Sequence, residues 1–327
     1  MPTLPVIMGL MDPIYNLFGW ILTNMYAWLE NYGLVVILFT VLINVLLLPF
    51  GIKSQKSMLK QQGLQDEINE IKRMYPDDPQ TQQALQQELF KKNGVSITSG
   101  CLPSLLRLIL IIPVFRIFQQ PLQYIGGVSA ENIAHISQYV TDHKILPETA
   151  GKLIARSDIP LISALQDNAS ALAAVVEKGW LKLSQLIDLD FLGLNLGTHP
   201  SWRPADIFGD RWQTYLPLLI LPALTILAMV VQMRLMTKIS QARPVDKAEL
   251  DRAKRNPAKK DQAKANDNAG TMKGMNFFMV ALMIWTVFTL PSAMGIYWVV
   301  NSIMGIAQSL FIYRYYTKPF RKALEER

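Results

Sequence analysis

Apolar positions in this chain fall into long unbroken blocks, and charged positions crowd between them. Residues 33–51, GLVVILFTVLINVLLLPFG, run for 19 positions without a charge. That is about what a helix needs to cross a hydrocarbon core of ~30 Å. Residues 101–122, CLPSLLRLILIIPVFRIFQQPL, form a second block, and residues 215–236 a third. Residues 276–313 are uncharged for 38 positions, too long for one crossing, with Pro291 and Ser292 marking a turn near the middle. Backbone in hydrocarbon must satisfy its own hydrogen bonds, so these blocks are helical. The expected fold class is an all-α polytopic membrane protein with five transmembrane helices, at 33–51, 98–122, 214–236, 275–291 and 292–313.

The segments between the blocks carry other periodicities. Within 1–32, residues 11–30 are amphipathic, with Asp12 and Pro13 as a helix start and Ile14, Leu17, Phe18, Ile21, Leu22 and Met25 on one face. This predicts an interfacial helix on the outer surface, with a sixth crossing as the alternative. Residues 52–97 read as an antiparallel helical hairpin. Leu64, Ile68, Ile71 and Tyr75 line one arm, YPDDPQ breaks it, and Leu85 and Leu89 lead to a C-cap at Gly94. The stripe either packs arm on arm or belongs to a mobile arm that touches a partner. Residues 123–213 are expected to be an external insertion of short helices joined by Pro and Gly, for example 159–178. Residues 237–274 are polar, basic and expected to be solvated, and 314–327 form a tail.

Charge orients the chain. Its net charge is +7, and no Lys or Arg precedes Lys53. Basic residues collect in 53–92, in 314–327, and in 234–273, which holds eleven in forty positions. The positive-inside rule makes these cytosolic, with the N-terminus outside, the C-terminus in the cytosol and the chain in a bacterial plasma membrane. The excess then attracts anionic lipid heads and does not point to a specific nucleic-acid sequence. No charged leading region suggests a signal peptide. The single cysteine, Cys101, rules out an internal disulfide.

The candidate chemistry is sparse. There is no Walker loop, HExxH or GxSxG, and the predicted spans hold no Asp, Glu or His. His135, His143 and His199 lack metal-site spacing. Polar, unreactive residues remain in the spans: Thr40, Asn44, Arg107, Arg116, Gln119, Gln232, Thr286, Asn301 and Gln308. They point to recognition and passage, without a cofactor, and not to an enzyme. Methionines recur at helical spacing, Met229, Met233 and Met236 in one set and Met272, Met275, Met279 and Met283 in another. Flexible thioethers suit varied apolar partners, and the alternative is ordinary lipid-facing or core filling.

The order of three motifs resembles the YidC/Oxa membrane protein insertases, and their shorter, Gram-positive-type members in particular. The motifs are NYGLVVILFTVLINVLLLPFGIKSQKSM at 31–58, GCLPSLL at 100–106 after a charged hairpin, and LPSAMGIYWVVNSIMGIAQSLF at 290–311. The resemblance covers the five spans and the hairpin but not the external insertion. It implies a bundle around a hydrophilic groove, open to the cytosol and to lipid, that passes hydrophobic segments of nascent proteins into the bilayer without nucleotide hydrolysis. On that basis Arg107, Asn44, Thr40, Gln232, Trp298, Asn301 and Gln308 line the groove, and Met229, Met233, Met275 and Met279 form an apolar stripe that meets clients. Nascent membrane proteins are the implied partners, with the ribosome, the signal recognition particle pathway and the Sec translocon as further candidates. The family usually carries arginine at the position of Asn44 and commonly glutamine at that of Arg107, so charge and polar neighbour are exchanged here. Arg107 is then either the groove's charge or an arginine snorkelling to the inner headgroups. The competing function is a small-solute transporter or channel.

Overall fold

The computed structural model describes residues 4–95, 98–146, 157–210, 212–239, 280–282 and 284–325. Helix α1 (Leu4–Leu29) is followed by α2 (Tyr32–Gly63), α3 (Gln65–Met74), α4 (Pro79–Lys92) and α5 (Thr98–Gln119). Next come α6 (Pro121–Tyr124), α7 (Ala130–Asp142), α8 (Ile159–Asp167) and α9 (Ala169–Glu177). A two-stranded hairpin of β1 (Asp190–Phe191) and β2 (Leu194–Asn195) precedes α10 (Pro204–Phe208), α11 (Trp212–Leu218) and α12 (Ile220–Ile239). The short apolar α13 (Val280–Thr289) leads to α14 (Ser292–Ile312), a π-helical turn Tyr313–Thr317 and α15 (Lys318–Glu325).

Among the described residues three helical runs are long and apolar enough to cross a membrane: Tyr32–Gln61, Trp212–Leu235 and Ser292–Phe320. Ile109–Gln119 and Val280–Thr289 are shorter apolar helices in the remaining two blocks. The chain is therefore an all-α polytopic membrane protein, with one β-hairpin among the described residues. Two boundaries differ from the sequence expectation. Helix α1 begins at Leu4, with Pro13 inside it, so the Asp12–Pro13 start signal is overridden. Helix α2 likewise runs through Pro49 and Gly51 to Gly63. Each proline removes one backbone donor, and the turns on either side carry the helix past it.

The chain forms two units. The first comprises 1–43, 108–225 and 286–301, and its interior is mainly aromatic and aliphatic. Phe18, Phe39, Phe118 and Tyr297 meet edge to face in a row, with centroids 5.2, 6.0 and 6.1 Å apart, so α1, α2, α5 and α14 share one core. The buried Tyr32 hydroxyl donates to the Phe118 carbonyl at 2.9 Å. Thr23 Oγ1 on α1 donates to the carbonyls of Tyr124 and Ile125, tying α1 to α6. Helix α8 adds Ile159, Leu161, Ile162, Ala164 and Leu165 to the buried set.

The corner between α5 and α6 is held from far along the chain. Ser157 Oγ and the Asp158 N–H both donate to the Gln119 carbonyl, at 2.9 and 3.0 Å. The Asp158 carboxylate in turn accepts the Gln123 N–H at 3.0 Å. Two residues thus satisfy an orphan carbonyl of one helix and an orphan donor of the next.

The second unit comprises 44–107, 226–285 and 302–327. Its α3–α4 hairpin begins α4 at Asp78, whose carboxylate accepts the Thr81 N–H at 3.1 Å, with Pro79 in the first turn. Gly94, at φ +61°, ends α4. The Val95 N–H reaches the Phe90 carbonyl and the Gly94 N–H the Lys91 carbonyl, which is the paired pattern of a glycine-terminated helix. Lys56 Nζ lies 4.0 Å from the centre of the Tyr316 ring, beside the π-helical turn.

Candidate functional site

The buried face of α2 changes character along its length. Its first turns bury Tyr32, Val35, Val36 and Phe39. From Thr40 onward the buried positions are Thr40, Asn44 and Gln55, before Leu59. Helix α14 shows the same change. After Ser292, Ala293, Met294, Ile296, Tyr297 and Trp298 are buried, and then Ser302 and Ser309, before Ile312. Buried polar groups need hydrogen-bond partners, because an unpaired one costs about 1–3 kcal/mol; Thr40 and Ser309 find theirs in the carbonyls of their own helices.

Two close approaches sit in the polar part. The Gln308 amide lies in the notch left by the missing side chain of Gly51, which brings α14 against α2. The Gln232 amide occupies the same kind of notch at Gly305, which brings α12 against α14. Small residues let membrane helices approach closely, and side-chain amides across such contacts keep hydrogen-bonding capacity inside the bundle. Ser309 Oγ donates to the Gly305 carbonyl at 2.6 Å, and Thr317 Oγ1 is buried with no hydrogen-bond partner.

The sequence-derived groove residues divide accordingly. Thr40, Trp298 and Asn301 belong to the first unit, and Asn44, Gln232 and Gln308 to the second. Thr40 Oγ1 donates to the Val36 carbonyl at 2.6 Å, so its hydroxyl is bound to its own helix. Asn44 and Trp298 are buried, and Asn301, Gln232 and Gln308 are half-buried. Arg107 lies on α5, but its side chain is outside the described residues. Met229 and Met233 are half-buried on α12, while Met275 and Met279 lie outside the described residues. In the hairpin Ile68 and Ile71 are buried, Leu64 is half-buried and Tyr75 is exposed. Arg116, also on α5, donates from Nε to the Tyr124 hydroxyl at 3.3 Å.

Sequence reasoning missed Gln55, Ser302, Ser309 and the two glycine notches. The signal was present as spacing: Asn44, Gly51 and Gln55 stand seven and four apart, and Ser302, Gly305, Gln308 and Ser309 recur every three or four positions. Each set occupies one helical face. Read as isolated uncharged residues in an apolar run, they carry no such meaning.

The first unit holds the histidines. His135 stacks on Trp180 with centroids 5.3 Å apart, and His143 packs on Tyr139 at 4.0 Å. Burial lowers the pKa of His199. Among the described residues no three His, Cys, Asp or Glu side chains are grouped as a metal site would require.

The sequence matches the family described as 60Kd inner membrane protein over residues 24–319. It is 38% identical over 103 residues to a membrane protein insertase YidC of Oceanobacillus iheyensis, covering 30% of this chain and 41% of that one. Against the protein of that name from Caldanaerobacter subterraneus it is 35% identical over 109 residues, 33% and 53% of the two chains. Against that of Chlorobium limicola it is 34% identical over 103 residues, 32% and 18%. The aligned stretches span about half or less of these relatives.

Proposed function

The chain belongs to the 60Kd inner membrane protein family, and from that premise we propose that it is a membrane protein insertase acting through the polar interior of its spans. The observation that carries this reading is the change along α2 from Phe39 to Asn44 and Gln55. Part of the bundle is packed with rings, and part offers uncharged hydrogen-bonding side chains. A polar segment entering hydrocarbon loses several kcal/mol per unsatisfied group. A polar interior reaching part-way through the bilayer shortens that dry path, and the hydrophobic segment that follows leaves sideways into lipid. No bond is made, and no nucleotide is hydrolysed.

The polar end faces the cytosol in this reading, with the N-terminus outside and the C-terminus inside. The basic residues of 53–92, 234–273 and 314–327 support that orientation. Arg107 supplies the groove's positive charge in place of one at Asn44. The client is the hydrophobic segment of a nascent membrane protein, met by Met229, Met233, Met275 and Met279. The α3–α4 hairpin and the basic stretch 237–274 meet the delivering machinery or anionic headgroups. That machinery is the ribosome, the signal recognition particle pathway or the Sec translocon.

The test is photocrosslinking from positions 44 and 233 to a single-span protein stalled during synthesis. Contact that forms on the ribosome-bound chain and disappears on release is expected. Absence of contact, together with solute flux in liposomes, replaces this reading with that of a small-solute transporter or channel.

A further inference from the structure

The β1–β2 hairpin is the least economical feature of the first unit. Its two-residue turn is Leu192–Gly193, with φ of 55° and 78°. Gly193 adopts that left-handed backbone freely, whereas a branched-chain residue such as Leu192 is strained there, and Asn, Asp or Gly is the usual occupant. The strained leucine is also 86% exposed. A bulky apolar side chain in a disfavoured conformation that contributes nothing to the core calls for a partner outside the protein.

The neighbours of the turn show where it lies. Phe191 packs directly on Gly33, in the first turn of span α2, and the Asn31 side chain reaches the Asp190 carbonyl at 3.4 Å. Strand β2 packs against α11, the first turns of the span Trp212–Leu235. After the hairpin, the Leu196 carbonyl accepts the Ala293 N–H at 3.0 Å and the Thr198 carbonyl accepts the Ser292 N–H at 3.1 Å, in the first turn of α14. The segment 190–198 therefore touches the beginnings of three apolar helices, the level at which those helices enter the bilayer.

Exposed apolar surface continues from there along the spans. Leu34 and Leu38 are exposed on α2 just beyond Gly33. Trp212, Leu216, Ile220 and Leu224 are exposed at four-residue spacing on α11 and α12, and Phe208, 82% exposed, ends the preceding short helix α10. A stripe of that spacing is one helical face, and in a spanning helix an exposed apolar face meets lipid. Trp212 stands at the end of the stripe, where amphipathic rings favour the headgroup level.

We propose that the Leu192 turn and Phe208 together form a membrane anchor, seated in the headgroup–acyl boundary of the leaflet that adjoins the 123–213 insertion. The partner is lipid, because the turn is flanked by the lipid-facing surfaces of two spans and continues them. The anchor holds the insertion down over the ends of α2, α11 and α14. It is independent of the polar groove and of any client.

Depth measurement in lipid nanodiscs of phosphatidylethanolamine and phosphatidylglycerol tests this. In a Cys101→Ser background, single cysteines replace Leu192, Phe208 or the exposed Glu177, each carrying one environment-sensitive fluorophore. The fluorophores at 192 and 208 are expected to be quenched several-fold more by lipid bearing a shallow acyl-chain doxyl group than by iodide, with the reverse at 177. Leu192→Asp is expected to leave thermal unfolding unchanged while moving the fluorophore at 208 toward iodide access. Preferential iodide quenching at 192 overturns the proposal. So does protection from both quenchers, which assigns the turn to a protein partner, and so does a fluorophore at 208 that is indifferent to Leu192→Asp.

Discussion

The carbonyl oxygen of Thr198 accepts two hydrogen bonds from Ser292, one from the backbone N–H at 3.1 Å and one from the hydroxyl at 2.6 Å. Ser292 opens α14, whose first N–H groups have no partner within the helix. The loop that follows the β-hairpin supplies one, across 94 positions of sequence.

Ser292→Ala removes the hydroxyl bond and keeps the backbone one. A loss of about 1 kcal/mol is expected, the net value of one neutral hydrogen bond. Thermal unfolding in nanodiscs reads it, and hydrogen exchange at the N–H groups of 196–198 should quicken relative to the α2 core. Unchanged exchange there would place the stability of this loop elsewhere.

Two glycines should respond differently to alanine. A Cβ at Gly126 would stand 2.5 Å from the Gln185 carbonyl oxygen and 2.9 Å from that of Leu122, both backbone atoms that cannot step aside. Gly126→Ala is expected to destabilise by about 1–3 kcal/mol, as overpacking does. A Cβ at Gly51 meets only the end of the flexible Gln308 side chain. Gly51→Ala should leave the unfolding midpoint nearly unchanged and displace the amide. Equal losses at both positions would refute the distinction between backbone and side-chain neighbours.

Asp158 links stability to pH. Burial pushes its carboxyl up to about 7 from the ordinary 3.8, against the opposing pull of the Gln123 and Leu122 N–H groups. The folded chain therefore holds this proton where the unfolded chain has released it. The stabilising contribution is fully present below pH ~4 and is lost as pH rises toward ~7. Asp158→Asn keeps an acceptor for the Gln123 N–H and removes the titration. The variant should match the parent near pH 4 and exceed it above pH 7, by a gain on the order of 2–4 kcal/mol. Parallel stability–pH curves for parent and variant would count against it.

The proposed role of Arg107 as the groove's charge can be tested through insertion itself. Arg107→Ala is expected to reduce insertion several-fold for single-span clients with acidic tails, and less for neutral ones, because attraction strengthens where the dielectric is low. Arg107→Lys should fall between, keeping the charge but losing the planar fork. Asn44→Arg combined with Arg107→Gln should recover much of the activity. The assay is the inserted fraction of clients differing only in tail charge, in cells depleted of the native protein. Normal insertion of every client by Arg107→Ala would make Arg107 a snorkelling side chain.

What the sequence by itself determined is the set of features carried by neighbouring residues. The uncharged run at 33–51 identifies a membrane helix because a helix satisfies its own backbone. Gly94 ends α4 because its left-handed backbone is needed a few residues from the carbonyls it caps. The hairpin stripe at Ile68 and Ile71 is legible because helical period alone puts both on one side. Tertiary structure decided the rest. No local signal says that Asp158 completes the α5–α6 corner, that Phe191 fills the space over Gly33, or that Gln308 and Gln232 lie against Gly51 and Gly305. The start of α1 shows local preference losing outright, since its helix runs through the Asp12–Pro13 signal. Even the division of α2 into an aromatic and a polar buried face is invisible along the chain, where Phe39, Thr40 and Asn44 are merely three residues of one apolar block. Burial is a property of what packs against a helix, and the packing partners here come from distant segments, as Gln308 does for Gly51.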